Sequence, residues 1–343
     1  MISVIAATAL MQSQVSWTMA VGGDIMLNGV SPAKNPFAAV APAFKAADIA
    51  YANLEIPLTT ARTATTKKTA AEIKARNQYI LKADPKHGKW LGSFGLDVVS
   101  LANNHAMDFG KAGLDETIKI LREQKIAHCG SGANAAQAAA PVVVKAGGMR
   151  VGFVSYLSFL GVGSIGKCWP ATENSPGIAG LTLGGATNDA AHRRIKRIVD
   201  LAKTKCDMLV VCLHWGVEKA PVPRQYQVSL GRMFLQHGAD LVLGAHPHVL
   251  QGAEMTGGKA IFYSTGNFTS PKTGETAAFT LKFKGKSLQS VQILPIQYKS
   301  GILALRTGKE AEATKAKFDD LSKRLVNAFP NKSYKAILPT ISR

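Results

Sequence analysis

An α/β fold of stacked strand and helix layers is predicted for this 343-residue chain, on three observations. Short apolar runs recur, each closing on glycine or polar residues. They are near-continuous rather than alternating, as strands covered on both faces are. Amphipathic helical patterns separate them, which is the alternation of a layered α/β protein. Composition agrees: 46% hydrophobic and 18% charged residues exclude a disordered chain.

The first strand is read at Val15 to Val21 and the second at Ile49 to Ala52. Val98 to Leu101, Val151 to Tyr156, Met208 to Leu213, Leu241 to Leu243 and Ile261 to Tyr263 follow. Between them, Lys111 to Gln124 sets Leu114, Ile118 and Leu121 on one helical face, and Asp189 to Lys205 sets Ile195, Ile198 and Leu201 likewise. Arg224 to His237 starts after Pro221-Val222-Pro223 and stops before Gly238. Asn134 to Ala140 is a short helix closed by Pro141. Thr280 to Phe283, Val291 to Gln297 and Ile302 to Leu305 read as further strands, and Glu310 to Phe329 as a final amphipathic helix.

No linker divides these elements, so residues 15–343 read as one domain with a basic insertion at 59–89 and C-terminal strands and helix at 276–343. Residues 1–14 are apolar and rich in small side chains, but no Lys or Arg precedes the apolar run. They read as a leader or signal remnant. No later stretch approaches the ~20 apolar residues of a spanning helix. Cys129, Cys168, Cys206 and Cys212 have no CxxC spacing, and Cys206 and Cys212, at the two ends of one strand, stand too far apart to bridge.

The chemistry gathers directly after the strands. Asp24 follows the first, Asn53-Leu54-Glu55 the second, and Asn103-Asn104-His105 the third. His214 closes the Met208 run and leads to Glu218, and Gly244-Ala245-His246-Pro247-His248 follows the next. In an open α/β sheet, ligands bind beyond the carboxyl ends of the strands, so five such clusters converge on one pocket if the strands are parallel. Each has an ordinary structural reading taken alone: a turn carboxylate, a hydrogen-bonded loop, a satisfied core histidine. Together, carboxylates, an Asn carbonyl and three imidazoles make a mixed oxygen and nitrogen set suited to one or two divalent ions such as Mn, Fe or Zn. Pro247 fixes the backbone between two imidazoles, which makes His246 and His248 a rigid donor pair. His87, His128, His192 and His237 receive no role. No G-x-S-x-G elbow and no P-loop occurs.

The ordered series Gly-Asp-Ile-Met, Asn-Leu-Glu, Leu-Ala-Asn-Asn-His-Ala-Met-Asp-Phe-Gly, His-Trp-Gly-Val-Glu, Gly-Ala-His-Pro-His and Tyr-Ser-Thr-Gly-Asn-Phe resembles the CapA family, linked to poly-γ-glutamate capsule synthesis and part of the calcineurin-like metallophosphatase superfamily. The match runs from about Met19 to about Phe268. It implies a four-layer α/β/β/α sandwich with a two-metal site at the strand ends. By that resemblance Asp24 is a metal ligand and catalytic carboxylate, and Glu55, or else Asn53, the bridging group. Asn104 is the amide ligand and His105 the general acid. His214 and His246 would hold one ion and His248 the other. Asn53, Asn103 and Glu218 stand as candidate substrate contacts, with Lys67 and Lys68 from the insertion. Two departures stand out: Met26 occupies the position where the superfamily usually has His, and Asn-Leu-Glu replaces Gly-Asp.

The resemblance implies a metal-dependent hydrolase acting on an anionic envelope substrate, a phosphoester or a γ-glutamyl polymer, in the cell envelope beside capsule-synthase membrane proteins. A non-catalytic partner that grips polyanion for a synthase or exporter is the alternative. Forty-one Lys and Arg against 22 Asp and Glu give a net charge of +19, which draws polyanions of any kind. Nucleic acid is not expected, since Tyr79 is the one aromatic among the insertion's basic residues and stacking needs more. The insertion carries eight Lys and Arg against Glu72 and Asp84 and is rooted just after Glu55, so it is expected to form a cationic lid or rim.

Overall fold

The computed structural model describes residues 15–159, 165–183 and 187–342; the expected leader lies outside them. The strands run β1 (Ser16–Ile25), β2 (Ile49–Leu54), β3 (Val98–Ser100), β4 (Ala127–Cys129), β5 (Ser131–Gly132), β6 (Val142–Ala146), β7 (Met149–Ser158), β8 (Gly177–Ile178) and β9 (Met208–Trp215). They continue with β10 (Leu241–Ala245), β11 (Ala253–Thr256), β12 (Lys259–Phe262), β13 (Asn267–Thr269), β14 (Thr273–Lys284), β15 (Ser287–Lys299), β16 (Ile302–Leu305), β17 (Lys335–Ala336) and β18 (Thr340–Ile341). One sheet has the order β16-β15-β14-β1-β2-β3-β4, with β13 beside β1 and β18 beside β15. The second has the order β17-β11-β12-β10-β9-β7-β6, and β5 pairs with β8 apart from both. In each large sheet the strands that carry the site run parallel: β1 to β4 in the first, and β7, β9, β10 and β12 in the second.

Side-chain alternation explains the continuous apolar runs. Trp17, Met19 and Val21 of β1 and Ile49 and Tyr51 of β2 point between the sheets, where they meet Phe153, Val210, Leu243 and Phe262. The intervening Ala20, Ala50 and Ala52 point outward, against Phe44, Phe94 and Leu114 of the helices Ala41–Lys45, Gly88–Phe94 and Gly110–Glu123. In β9, Met208, Val210 and Cys212 face inward, while Leu209, Val211 and Leu213 pack on Ile195, Val199, Val228 and Phe234 of the helices Asp189–Lys203 and Gln225–Gln236. Both faces of both sheets are therefore covered, and the layers stack as helix, sheet, sheet, helix. The last long helix, Gly308–Ala328, sends Phe318 and Leu321 into the core between the sheets and Leu325 against the outer helices.

Three details differ from the sequence reading. Leu201 is 60% exposed, because the buried stripe of its helix is Ala191, Ile195, Val199 and Ala202, and a residue two positions past Val199 points away from it. Strands β4 and β6 were not legible: β4 has three residues, and β6 alternates half-buried and exposed side chains ahead of its partner β7. His87, which stands outside every predicted element, is fully buried. All four cysteines are buried, and none forms a disulfide.

Candidate metal centre

The parallel strands deliver their polar ends to one place. β1 approaches the 265–266 backbone so closely that a Cβ at Gly23 would fall 2.0 Å from the Gly266 carbonyl oxygen, which is why glycine precedes Asp24. Asp24 and Asn53 are register partners on β1 and β2. Oδ1 of Asp24 accepts from the Asn53 amide at 2.9 Å, and Oδ2 accepts the His246 backbone N–H at 3.1 Å. The Asn53 amide is oriented from behind: its Oδ1 accepts from Ser100 Oγ at 2.7 Å and from Asn103 Nδ2 at 3.3 Å. Asn103 also donates to the Leu54 carbonyl and accepts the backbone N–H groups of His105 and Ala106, which builds the turn after β3.

Glu55 lies at the centre, fully buried. Its Oε1 is 3.3 Å from His214 Nε2 and 3.8 Å from His248 Nε2, and neither carboxylate oxygen has a hydrogen-bond partner. The donor atoms of Asp24, Glu55 and His214 lie within 4.8 Å of one another, and so do those of Glu55, His246 and His248. Glu55 belongs to both groups. Asn104 Oδ1 stands 2.8 Å from His214 Nε2 and completes the set. The three imidazoles form one cluster: the His214 and His246 rings stand 4.8 Å apart, those of His246 and His248 5.6 Å, and His248 Nδ1 is 3.4 Å from Asp24 Oδ2. The turn that presents the pair is held in unusual backbone: His246 and His248 have φ of 94° and 58°, with Pro247 between. L-residues with side chains seldom occupy that region, and strain of this kind concentrates at functional sites.

The electrostatics follow from the burial. Burial alone would raise the Glu55 carboxyl, but the imidazoles of His248 and His214 outweigh it and hold it well below the usual carboxylate range. Burial opposes charge on His248, yet Glu55 and Asp24 push its pKa up to about 10. Burial and the neighbouring His214 ring keep His246 well below an ordinary histidine. A buried carboxylate with no hydrogen-bond partner, set among oxygen and imidazole donors, fits a divalent cation. The residues that would hold it are Asp24, Glu55, Asn104, His214, His246 and His248. Bound there, such an ion supplies Lewis acidity toward an ester or amide oxygen.

His105 sits beside this group and lines a cleft of about 770 Å³ together with Tyr79, Asn104, Phe159, Glu218 and His246. Its Nδ1 is 2.7 Å from Asp108 Oδ2, which leaves Nε2 as the ring atom available for proton exchange in the cleft. Burial and the Lys68 ammonium lower the His105 pKa, partly offset by Asp108. The Phe159 ring closes the inner wall, 4.8 Å from the His246 ring.

The expected substrate contacts separate. Glu218 is exposed and lines the cleft. Asn53 and Asn103 are buried and spent on internal hydrogen bonds, so they are scaffold rather than substrate contacts. Lys67 is exposed and lies 4.3 Å over the Trp169 ring. Lys68 is buried, paired with Asp108, and offers no charge at a rim. Asp108, Ser100 and Phe159 were not singled out from sequence. For Asp108 a signal existed, since His105 and Asp108 stand three residues apart in one motif.

A four-layer sandwich with oxygen and imidazole donors at its strand ends is a metallophosphatase-like fold. The fold is shared with the crystal structure of a "novel phosphatase" from Mycoplasma pneumoniae, at a TM-score of 0.52 and 14% identity, covering 83% of this chain and 94% of that one. Residues 18–272 match the family model "Bacterial capsule synthesis protein PGA_cap", and the chain belongs to that family. It is 29% identical to "Capsule biosynthesis protein CapA" of Bacillus anthracis, over 82% of this chain and 67% of that one. It is also 29% identical to "PGA biosynthesis protein CapA" of Bacillus subtilis, over 80% and 70%. Among the described residues no helix is long and apolar enough to cross a membrane.

Proposed function

We propose that this protein is a metal-dependent hydrolase of capsule or poly-γ-glutamate synthesis, acting at the cell envelope on an anionic substrate, a phosphoester or a γ-glutamyl polymer. The observation that carries the reading is Glu55, a buried carboxylate without a hydrogen-bond partner that two ligand groups share. His105, held at Nδ1 by Asp108, supplies the proton-transfer group beside it. Capsule-synthase membrane proteins are the partners in this reading, and Mn, Fe or Zn the candidate ions.

The test is metal analysis of protein purified without chelators, followed by assays on bis-p-nitrophenyl phosphate and on poly-γ-glutamate. Stoichiometric metal is expected, with a loss of turnover of about 10²–10⁴-fold in His105→Ala at unchanged metal content. Exclusion of metal, with no turnover of either substrate, overturns the reading.

One observation favours a second reading. Met26 follows Asp24 by two, and a thioether is a poor ligand for a hard divalent ion. With a net charge of +19, the chain would then grip polyanion for a synthase or exporter without catalysis. That reading requires salt-sensitive polyglutamate binding that survives both chelator and His105→Ala.

A further inference from the structure

The basic insertion is built around one side chain that lies beneath the cleft wall. Lys68 is a charged residue with a side chain 1% exposed, and Asp108, its partner, is 2% exposed. The Lys68 ammonium donates to Asp108 Oδ1 and to the Tyr79 carbonyl at 2.8 Å, and it stands 3.2 Å from His105 Nδ1. Asp108 receives the insertion at two further points: its Oδ2 accepts the Leu81 N–H at 2.8 Å, and its backbone carbonyl accepts the Thr65 N–H at 3.2 Å. Three points of the insertion therefore converge on the residue that holds His105.

The arrangement has a direct physical reason. A buried carboxylate beside a lone imidazole, without another cation, would be poorly compensated and free to turn. With Oδ1 taken by Lys68 and Oδ2 shared by Leu81 N–H and His105 Nδ1, the carboxylate plane is fixed from both sides. The insertion is itself held in place. Thr69 and Glu72 form a reciprocal cap at the start of the helix Ala70–Lys74, directly after Lys68. Glu72 also pairs with Lys167, and Lys67 packs over Trp169, across the cleft wall.

We propose that Lys68 is a positioning residue that sets the orientation of His105 through Asp108, so that the insertion completes the catalytic constellation rather than acting as a cationic rim. The proposal rests on the reading of His105 as the proton-transfer group for its consequence in turnover, but the orientation itself is measurable without turnover.

The experiment compares the full-length wild type with Lys68→Met and Lys68→Arg. Ring nitrogen signals are recorded by NMR in ¹⁵N-histidine-labelled protein, with His105 assigned by its disappearance in His105→Gln. Lys68→Met is expected to move the His105 Nδ1 signal and Lys68→Arg to return it toward wild type. On bis-p-nitrophenyl phosphate, Lys68→Met is expected to lower kcat about 10–100-fold, the usual range for a residue one step behind a functional group, with KM little changed. An unmoved Nδ1 signal overturns the proposal whatever the activity. If the wild type turns nothing over while the signal still moves, the hydrolase reading fails and the positioning role stands. Should Lys68→Met fail to fold, Lys68→Gln takes its place, with an unmoved signal there again overturning the proposal.

Discussion

The Asn53 amide donates to Oδ1 of Asp24 at 2.9 Å across two neighbouring parallel strands, and the same nitrogen lies 3.3 Å from Nδ1 of His214 on the other sheet. One uncharged side chain thus touches a carboxylate of the first sheet and an imidazole of the second. Asn53→Ala is expected to weaken Mn²⁺ binding about 10–100-fold while the fold persists. Calorimetric titration reads it, and an unchanged affinity would remove Asn53 from the support of the site.

Glu55→Gln keeps the shape and removes the charge that both ligand groups use. Both groups are expected to lose their ion together, with affinity down by more than about 100-fold, beyond what a supporting residue costs. Elemental analysis after gel filtration checks this. Retention of one stoichiometric ion would assign Glu55 to a single ion.

The core between the sheets is one of three apolar clusters that hold the layers together. Phe153 is fully buried and stacks on Tyr51 at 5.8 Å between ring centroids. Phe153→Ala is expected to cost about 3–5 kcal/mol, from lost burial plus the cavity left behind. Urea denaturation at fixed metal content measures it, and a cost under about 1 kcal/mol would show a core able to collapse.

His87 gives a pH dependence remote from the ligand set. Burial lowers its pKa, while Nε2 stands 3.1 Å from the Val30 carbonyl. The unfolded chain takes up a proton near pH 6.5 that folded His87 resists, so its contribution to stability is fully present above that pH and is lost as the pH falls below it. Between pH 7 and 5, unfolding free energy is expected to fall less steeply in His87→Gln than in the wild type. Parallel curves for the two proteins would refute this.

The layered fold and the convergence at the strand ends were legible because burial on both faces writes unbroken apolar runs such as Met208 to Leu213, and because Asp24, Glu55, His214 and His246 stand at or just beyond the strand ends. The burial of Lys68 was not. Its neighbours carry no periodicity, and whether a lysine in a basic stretch faces water or a carboxylate is decided by Asp108, 40 residues on. Asn53 and Asn103 misled for a related reason: an amide behind a strand end looks the same in sequence whether it faces a ligand or its own backbone. His87 was hidden likewise, because Val30, its partner, lies 57 residues earlier.

Strand β1 lies between β2, which follows it closely, and β14, which arrives more than 200 residues later, and every strand of the second sheet except β17 is synthesised in between. On the ribosome, the β14 side of β1 must therefore wait with its backbone N–H and C=O groups unpaired until Lys284 has emerged. During that interval Trp17, Met19 and Val21 lack much of their eventual cover, and the bare edge is a template for the same strand of another nascent copy. Yield of this protein in a cell should accordingly depend on translation speed and on holdase capacity more than the stability of the finished molecule would suggest.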